Sequence, residues 1–266
     1  MEYKTHDGVN LYYEINKVEN PNATIVLVHG LGENLRRYDL FVEELNALGY
    51  VVYRFDHRGH GMSGGKRGWA KSFMDIVKDT DEFVEMSRRD YPNVKHFLFG
   101  HSMGGFTVNA YGVTYKNKLD GIISSAAPGI IMKMTKALTI VPWKLIGNID
   151  MKNTLGGKLS HDPKVEEEYV KSPLNLTKYK IRLAGTMFLE GVRYIHKNMA
   201  NFSCPVLYLH GVDDPIVEVE STKWLYANNP VEDKEVHYYD GMYHEILNEI
   251  EREKVVKDII GWLKKH

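Results

Sequence analysis

The feature that most constrains this chain is a short apolar run leading straight into a glycine-flanked serine. His96-Phe-Leu-Phe99 runs into Gly100-His-Ser-Met-Gly104, and a helix-compatible segment, Gly104 to Tyr115, follows. A serine between glycines at a strand-to-helix junction marks a strained turn that exposes the hydroxyl at the end of the strand. The flanking glycines let the backbone turn without Cβ clashes. The same spacing recurs at Gly61-Met-Ser-Gly-Gly65. There a polar loop, Asp56-His-Arg-Gly-His-Gly61, separates the serine from its strand, and nothing after it starts a helix. Ser102 is therefore the candidate nucleophile, and Ser63 reads as a hydroxyl that holds a loop.

The surrounding pattern alternates strands with helices. Candidate strands are Leu11–Ile15, Thr24–His29, Tyr50–Phe55, His96–Phe99, Gly121–Ser124, Pro205–His210 and Glu235–Tyr239. Helical periods cover Tyr38–Leu48, Lys71–Asp90 and Glu249–Lys265, the last bringing Val255, Val256, Ile259, Ile260 and Leu263 together. Fully apolar runs such as Thr24-Ile-Val-Leu-Val28 suit strands covered on both faces, as in a parallel sheet. Strands alternating with helices predict an α/β fold, a mostly parallel sheet flanked by helices. From Gly129 to Asn201 the rhythm breaks. This stretch shows no clear strand, reads mostly helical and is rich in Met and Ile, which predicts a helical cap inserted over one end of the sheet. The predicted organisation is a core of residues 1–128 and 202–266 with a cap of 129–201.

A serine hydroxyl is a weak nucleophile at neutral pH and needs a base within hydrogen-bond reach, oriented by a third group. On a strand–turn–helix scaffold of this kind the chain order is Ser, then Asp or Glu, then His. His244 follows Tyr239-Asp-Gly-Met-Tyr243, a glycine-bearing turn just after the last candidate strand, and is the candidate base. His237 lies inside that strand and His266 is terminal. The acid belongs on the turn after Pro205–His210, where Asp213 and Asp214 stand side by side and spacing alone does not separate them. Acyl transfer passes through an oxyanion that preorganised N–H groups stabilise. One donor is expected from Met103, directly after the nucleophile, and the other from Leu31 in the loop His29-Gly-Leu-Gly-Glu33.

Composition excludes several alternatives. Lys plus Arg is 34 against 35 for Asp plus Glu, without the basic excess of a nucleic-acid binder. A single cysteine, Cys204, allows no internal disulfide. The first residues carry no apolar run after a basic segment, so no secretory signal is expected, and no stretch has the roughly 18 consecutive apolar residues of a membrane span. A cytoplasmic location fits these features, and transient contact with a membrane surface is compatible with them. No metal or organic cofactor is implied.

Four segments carry a resemblance over nearly the whole chain: His29-Gly-Leu-Gly-Glu-Asn-Leu-Arg-Arg-Tyr38, Asp56-His-Arg-Gly-His-Gly-Met-Ser63, Gly100-His-Ser-Met-Gly-Gly105, and Gly211-Val-Asp-Asp-Pro-Ile-Val217 with Gly241-Met-Tyr-His244. In them the chain resembles the monoacylglycerol lipase and lysophospholipase branch of the α/β-hydrolase superfamily. The resemblance implies an α/β-hydrolase fold with a helical cap. Its Gly-x-x-Asp-x-x-Val pattern puts Asp214, not Asp213, in the triad. It implies that Glu33, Arg37 and Tyr169 of the cap hold a glycerol head. Ser172 stands where the family usually has Asp before Pro-Leu, and Leu31 is bulkier than the small residue often found after His-Gly, implying a narrower acyl entrance. The expected activity is hydrolysis of carboxylic esters, above all monoacylglycerols or similar lipid monoesters, through an acyl-enzyme on Ser102. The alternatives are a short-chain carboxylesterase, a feruloyl-type esterase or a peptidase of the same fold, since fold and triad do not fix the substrate. An inactive binding module would be expected to lack a triad member, and none is lacking here.

Overall fold

The computed structural model describes residues 1–266. Its strands are β1 (Glu2–Lys4), β2 (Asn10–Asn16), β3 (Ala23–Val28), β4 (Tyr50–Phe55), β5 (Lys95–His101), β6 (Gly121–Ser125), β7 (Asp150–Lys152), β8 (Lys178–Lys180), β9 (Val206–Gly211) and β10 (Lys234–Tyr239). Its helices are α1 (Asp39–Ala47), α2 (Phe73–Asp90), α3 (Met103–Thr114), α4 (Pro163–Lys171), α5 (Ile181–Gly185), α6 (Val192–Asn198), α7 (Glu220–Asn228) and α8 (Arg252–Lys265). The main sheet has the order β1-β2-β4-β3-β5-β6-β9-β10. From β4 to β10 all neighbours are parallel, while β2 and β1 add an antiparallel edge.

The apolar runs form strands because both faces are covered. In β3 all six residues are buried. Successive side chains point to opposite faces. Ala23, Ile25 and Leu27 pack with residues of α1 and α8. Val26 and Val28 pack with residues of α2 and α3 on the other side. Burying each such aliphatic side chain is worth about 1.5–3 kcal/mol. A one-residue slip would exchange the two sets. Helix α2 begins at a capping box in which the Ser72 hydroxyl accepts from Met74 N at 3.2 Å and the Asp75 carboxylate accepts from Ser72 N at 3.1 Å. Substitution at such a cap costs about 1 kcal/mol.

The regular structure between β6 and β9 is mostly helical, as expected, but a short strand pair was not expected. It contains β7 and β8, paired antiparallel in a ribbon. Strands of three residues each are too short for an alternation to be read. The Met- and Ile-rich part is not a long helix but a 3₁₀ turn, Lys133–Thr139, followed by turns around Pro142 and Gly147. Helices α5 and α6 form one helical run joined by a π turn, Thr186–Gly191. β1 and α7 had no legible signal. No helix is long and apolar enough to cross a membrane.

Candidate active site

Three turns at the C-terminal ends of parallel strands bring the candidate residues together. After β5, Ser102 adopts φ 55° and ψ −116°, a left-handed conformation costly for a residue with a Cβ. The turn is over-determined by its neighbours. Ser102 N donates to Ser125 O at 2.9 Å, and Phe106 N donates to Ser102 O at 2.8 Å. Gly104 is obligatory, because a Cβ there would lie 2.0 Å from the Val28 carbonyl oxygen.

His244 stands on the turn after β10 and Asp214 on the turn after β9. His244 Nε2 is 2.8 Å from Ser102 Oγ, and His244 Nδ1 is 2.6 Å from Asp214 Oδ2. All three side chains are buried. The Asp214 carboxylate also accepts from Ile216 N at 2.8 Å and Val217 N at 3.0 Å. Asp213, one residue earlier, is exposed, its backbone bonded to Met242 O. The neighbouring side chains thus face opposite ways. Burial alone would raise the Asp214 pKa, but His244 and His210 more than offset it and hold the carboxyl well below the usual range. Burial pulls the His244 pKa down, yet the charge and hydrogen bond of Asp214 outweigh it and leave the imidazole above its ordinary value.

Leu31 and Met103 are both buried beside the serine, and Met103 opens α3. The backbone at Gly30 passes so close that a Cβ there would be 3.2 Å from Ser102 Cβ and 2.8 Å from a Glu33 oxygen. The Leu31 amide therefore follows directly on a residue pressed against Ser102.

Glu33, Arg37 and Tyr169 gather behind this loop, each held mainly by residues outside the trio, and the buried Arg37 Nε has no hydrogen-bond partner. The Glu33 carboxylate accepts from Gly30 N and, at 2.6 Å, from the Tyr38 hydroxyl. Arg37 lies between Glu33, at 3.3 Å, and Glu245, with which it forms a close ion pair. Its guanidinium sits 5.1 Å from the centre of the Tyr169 ring. The Tyr169 hydroxyl accepts from Asn153 Nδ2 at 2.7 Å. Burial and the charge of Glu245 push the Glu33 pKa up, while Arg37, Tyr38 and Gly30 pull it back. Sequence reading did not find Glu245, His101, His210 or Asn153. The first two adjoin His244 and Ser102 in the chain, and that adjacency was the only available signal. The His101 and His244 rings are 4.7 Å apart.

Two spaces meet at Ser102. One is an apolar chamber walled by Leu31, Met132, Met151, Tyr179, Phe188 and Ile216, with only about 20 Å³ free. The other is a polar niche of about 10 Å³ lined by Glu33, His101, Tyr169, His244 and Glu245. Arg37 lies outside the niche and lines a cleft of about 480 Å³ between the segment leading into α1 and helix α4. Ser63 is elsewhere, its hydroxyl donating to Asp56 O at 2.5 Å and accepting from Tyr12 N at 2.9 Å. No group of three or more His, Cys, Asp or Glu side chains is arranged to hold a metal ion.

This geometry has close counterparts. The family described as serine aminopeptidase S33 matches residues 19–251. A monoacylglycerol lipase of Mycolicibacterium smegmatis is 30% identical, covering 97% of this chain and 94% of its own. The Bacillus subtilis phospholipase YtpA is 30% identical, covering 91% of this chain and 95% of its own. The crystal structure of a monoacylglycerol lipase from Paleococcus ferrophilus superposes with a TM-score of 0.85 at 33% identity, covering 95% of this chain and 98% of that one. The chain belongs to the serine aminopeptidase S33 family and has the α/β-hydrolase fold.

Proposed function

We propose that this protein is a serine hydrolase of carboxylic esters whose preferred substrates are monoacylglycerols or similar lipid monoesters. The observation that carries the reading is the buried chain Ser102 Oγ–His244 Nε2, 2.8 Å, and His244 Nδ1–Asp214 Oδ2, 2.6 Å, standing between an apolar chamber and a polar niche.

Ser102 Oγ attacks the ester carbonyl while His244 Nε2 takes its proton. The amides of Met103 and Leu31 stabilise the oxyanion, and Asp214 orients the imidazole and stabilises its charged form. Collapse of the tetrahedral intermediate breaks the ester bond, and His244 protonates the leaving alkoxide. Water then attacks the acyl-enzyme carbonyl as His244 takes its proton, and collapse of this second intermediate releases the acid while His244 returns the proton to Ser102 Oγ.

The acyl chain occupies the apolar chamber, where each buried methylene contributes about 0.8 kcal/mol. With about 20 Å³ free, the chamber admits a chain only as Met132, Met151 and their neighbours move aside. Methionine is suited to this, being unbranched and adaptable. The alcohol head meets Glu33 and Tyr169, which line the niche, with Arg37 backing them. The two relatives named as monoacylglycerol lipases support this substrate class.

Residues 129–201 act as the cap on a core of 1–128 and 202–266. The cap is not an independent folding unit in this proposal, since Met187, Phe188 and Val192 join the same apolar cluster as Phe73 and Phe106 of the core. Its outer face makes transient contact with a lipid surface. Ile140 and Leu145 are 86% and 85% exposed there, among Lys133, Lys136 and Lys144. Flotation with vesicles of anionic and of neutral lipid tests this: binding to the anionic set that is lost in Ile140→Ser/Leu145→Ser supports it, and no binding to either removes it.

A turnover panel of monoacylglycerols, lysophospholipids, triacylglycerols, aryl esters and aminoacyl amides tests the substrate. Monoacylglycerols should outrun triacylglycerols, whose extra chains have no place under the cap. Faster turnover of aminoacyl amides than of any ester would replace the proposal with a peptidase.

A further inference from the structure

Asp214 carries a second imidazole. His210, near the end of β9, is completely buried. Its Nε2 is 3.3 Å from Asp214 Oδ2, the oxygen that His244 Nδ1 meets at 2.6 Å. The same Nε2 lies 2.9 Å from Val217 O. A carboxylate and a carbonyl only accept, so these partners assign the proton of His210 to Nε2. Nδ1 is then the acceptor, and the Thr222 hydroxyl donates to it across 2.6 Å. Thr222 is buried in the first turn of α7, so the ring is fixed at both nitrogens. Asp214 Oδ1 is held separately, by Ile216 N and Val217 N.

We propose that His210, held by Thr222, is a positioning residue for the acid of the triad: its Nε2–H fixes Asp214 Oδ2 and shares the carboxylate charge with His244. The inference rests on the Ser102–His244–Asp214 reading above. Oδ2 and the Val217 carbonyl are both acceptors and would repel at close range, and one N–H between them lets the turn close. A carboxylate that receives an additional hydrogen bond attracts the proton of His244 less strongly. His210 thus keeps the acid in line while limiting how tightly it holds the imidazolium.

His210→Leu keeps bulk and removes the donor. It should lower kcat about tenfold on a soluble aryl ester, the equivalent of one hydrogen bond to a charged group. It should also move the acid limb of the kcat/KM profile to higher pH. The other groups facing His244, namely Ser102, His101, Glu245 and Glu33, are untouched by this change. His210→Gln restores an N–H at nearly the same position and should recover both readouts. A residue that merely packs would move neither the limb nor respond to glutamine. In wild-type protein labelled with ¹⁵N-histidine, the nitrogen shifts should report the Nε2–H tautomer for His210, a reading that needs no variant to fold. Finding the Nδ1–H tautomer, or an unchanged limb and kcat in folded His210→Leu, or equal losses in the Leu and Gln variants, would overturn the proposal. Should Ser102→Ala retain turnover, the triad reading itself fails, and that outcome is separate from these.

Discussion

Removing the Glu33 carboxylate should damage catalysis in two separable ways. The carboxylate accepts from Gly30 N and the Tyr38 hydroxyl and faces Arg37 at 3.3 Å. Glu33→Ala leaves a buried N–H and a buried hydroxyl without their acceptor, at about 1–3 kcal/mol each. It also releases the residue that precedes Leu31, whose amide is the proposed oxyanion donor. Loss of one such donor costs about 10²–10³ in kcat. A donor that is loosened rather than lost should fall at the lower end, about 10²-fold, on every ester. A glyceryl ester should lose about tenfold more, since its hydroxyls would also forfeit a charged acceptor. Glu33→Gln retains an oxygen for Gly30 and Tyr38, so its common loss should be small while the glyceryl-specific loss remains. The assay is kcat/KM for a glyceryl and a p-nitrophenyl ester of the same acid in wild type and both variants, with thermal midpoints as a folding control. Aryl-ester turnover that survives in folded Glu33→Ala would refute the loop-holding argument. Equal losses on both esters would remove Glu33 from the head-group site.

Further outcomes follow from the same geometry. Asp214→Asn should lower kcat by about 10⁴, whereas Asp213→Asn, on the exposed face of the turn, should be mild; purified variants assayed on one aryl ester decide it, and a reversed order would contradict the hydrogen-bond register. A histidine base works deprotonated, and Asp214 holds the pKa of the proposed base His244 above its ordinary value, so kcat/KM should rise with pH through a midpoint above about 6.5. His101, Glu33 and Glu245 also face this imidazole, and a flat profile between pH 5 and 8 would exclude a histidine base. Ser63→Ala frees Tyr12 N and Asp56 O and should cost about 1–3 kcal/mol in a denaturant titration while turnover in the folded protein stays close to wild type.

The sheet was legible because its strands are buried on both faces, so apolar runs such as Thr24–Val28 stand out against polar turns. The turn at Ser102 was legible because its strain demands glycine at fixed offsets, and the steric constraint at Gly104 shows the reason. The choice between Asp213 and Asp214 was legible only through the family resemblance, not from the spacing of the residues. It depends on which way two adjacent side chains point around one turn, which spacing does not encode. In residues 129–201 the helices were legible but the strand pair was not, because β7 and β8 are shorter than any readable period, and the Met and Ile serve packing rather than one helical stripe. Glu245 meets Arg37 from far earlier in the chain, a contact that closes only in three dimensions, whereas His210 is local to Asp214 and meets its carboxylate through the shape of the turn after β9, which spacing does not encode.

The most direct test of the central claim is a fluorophosphonate labelling experiment read by peptide mass spectrometry, with turnover measured alongside. The probe should add to Ser102 alone, labelling should stop in Ser102→Ala, and ester turnover should fall by about 10⁴-fold or more in that variant while Ser63→Ala still labels. Adduct on another residue, or a Ser102→Ala protein that still turns over ester at the wild-type rate, would contradict the assignment.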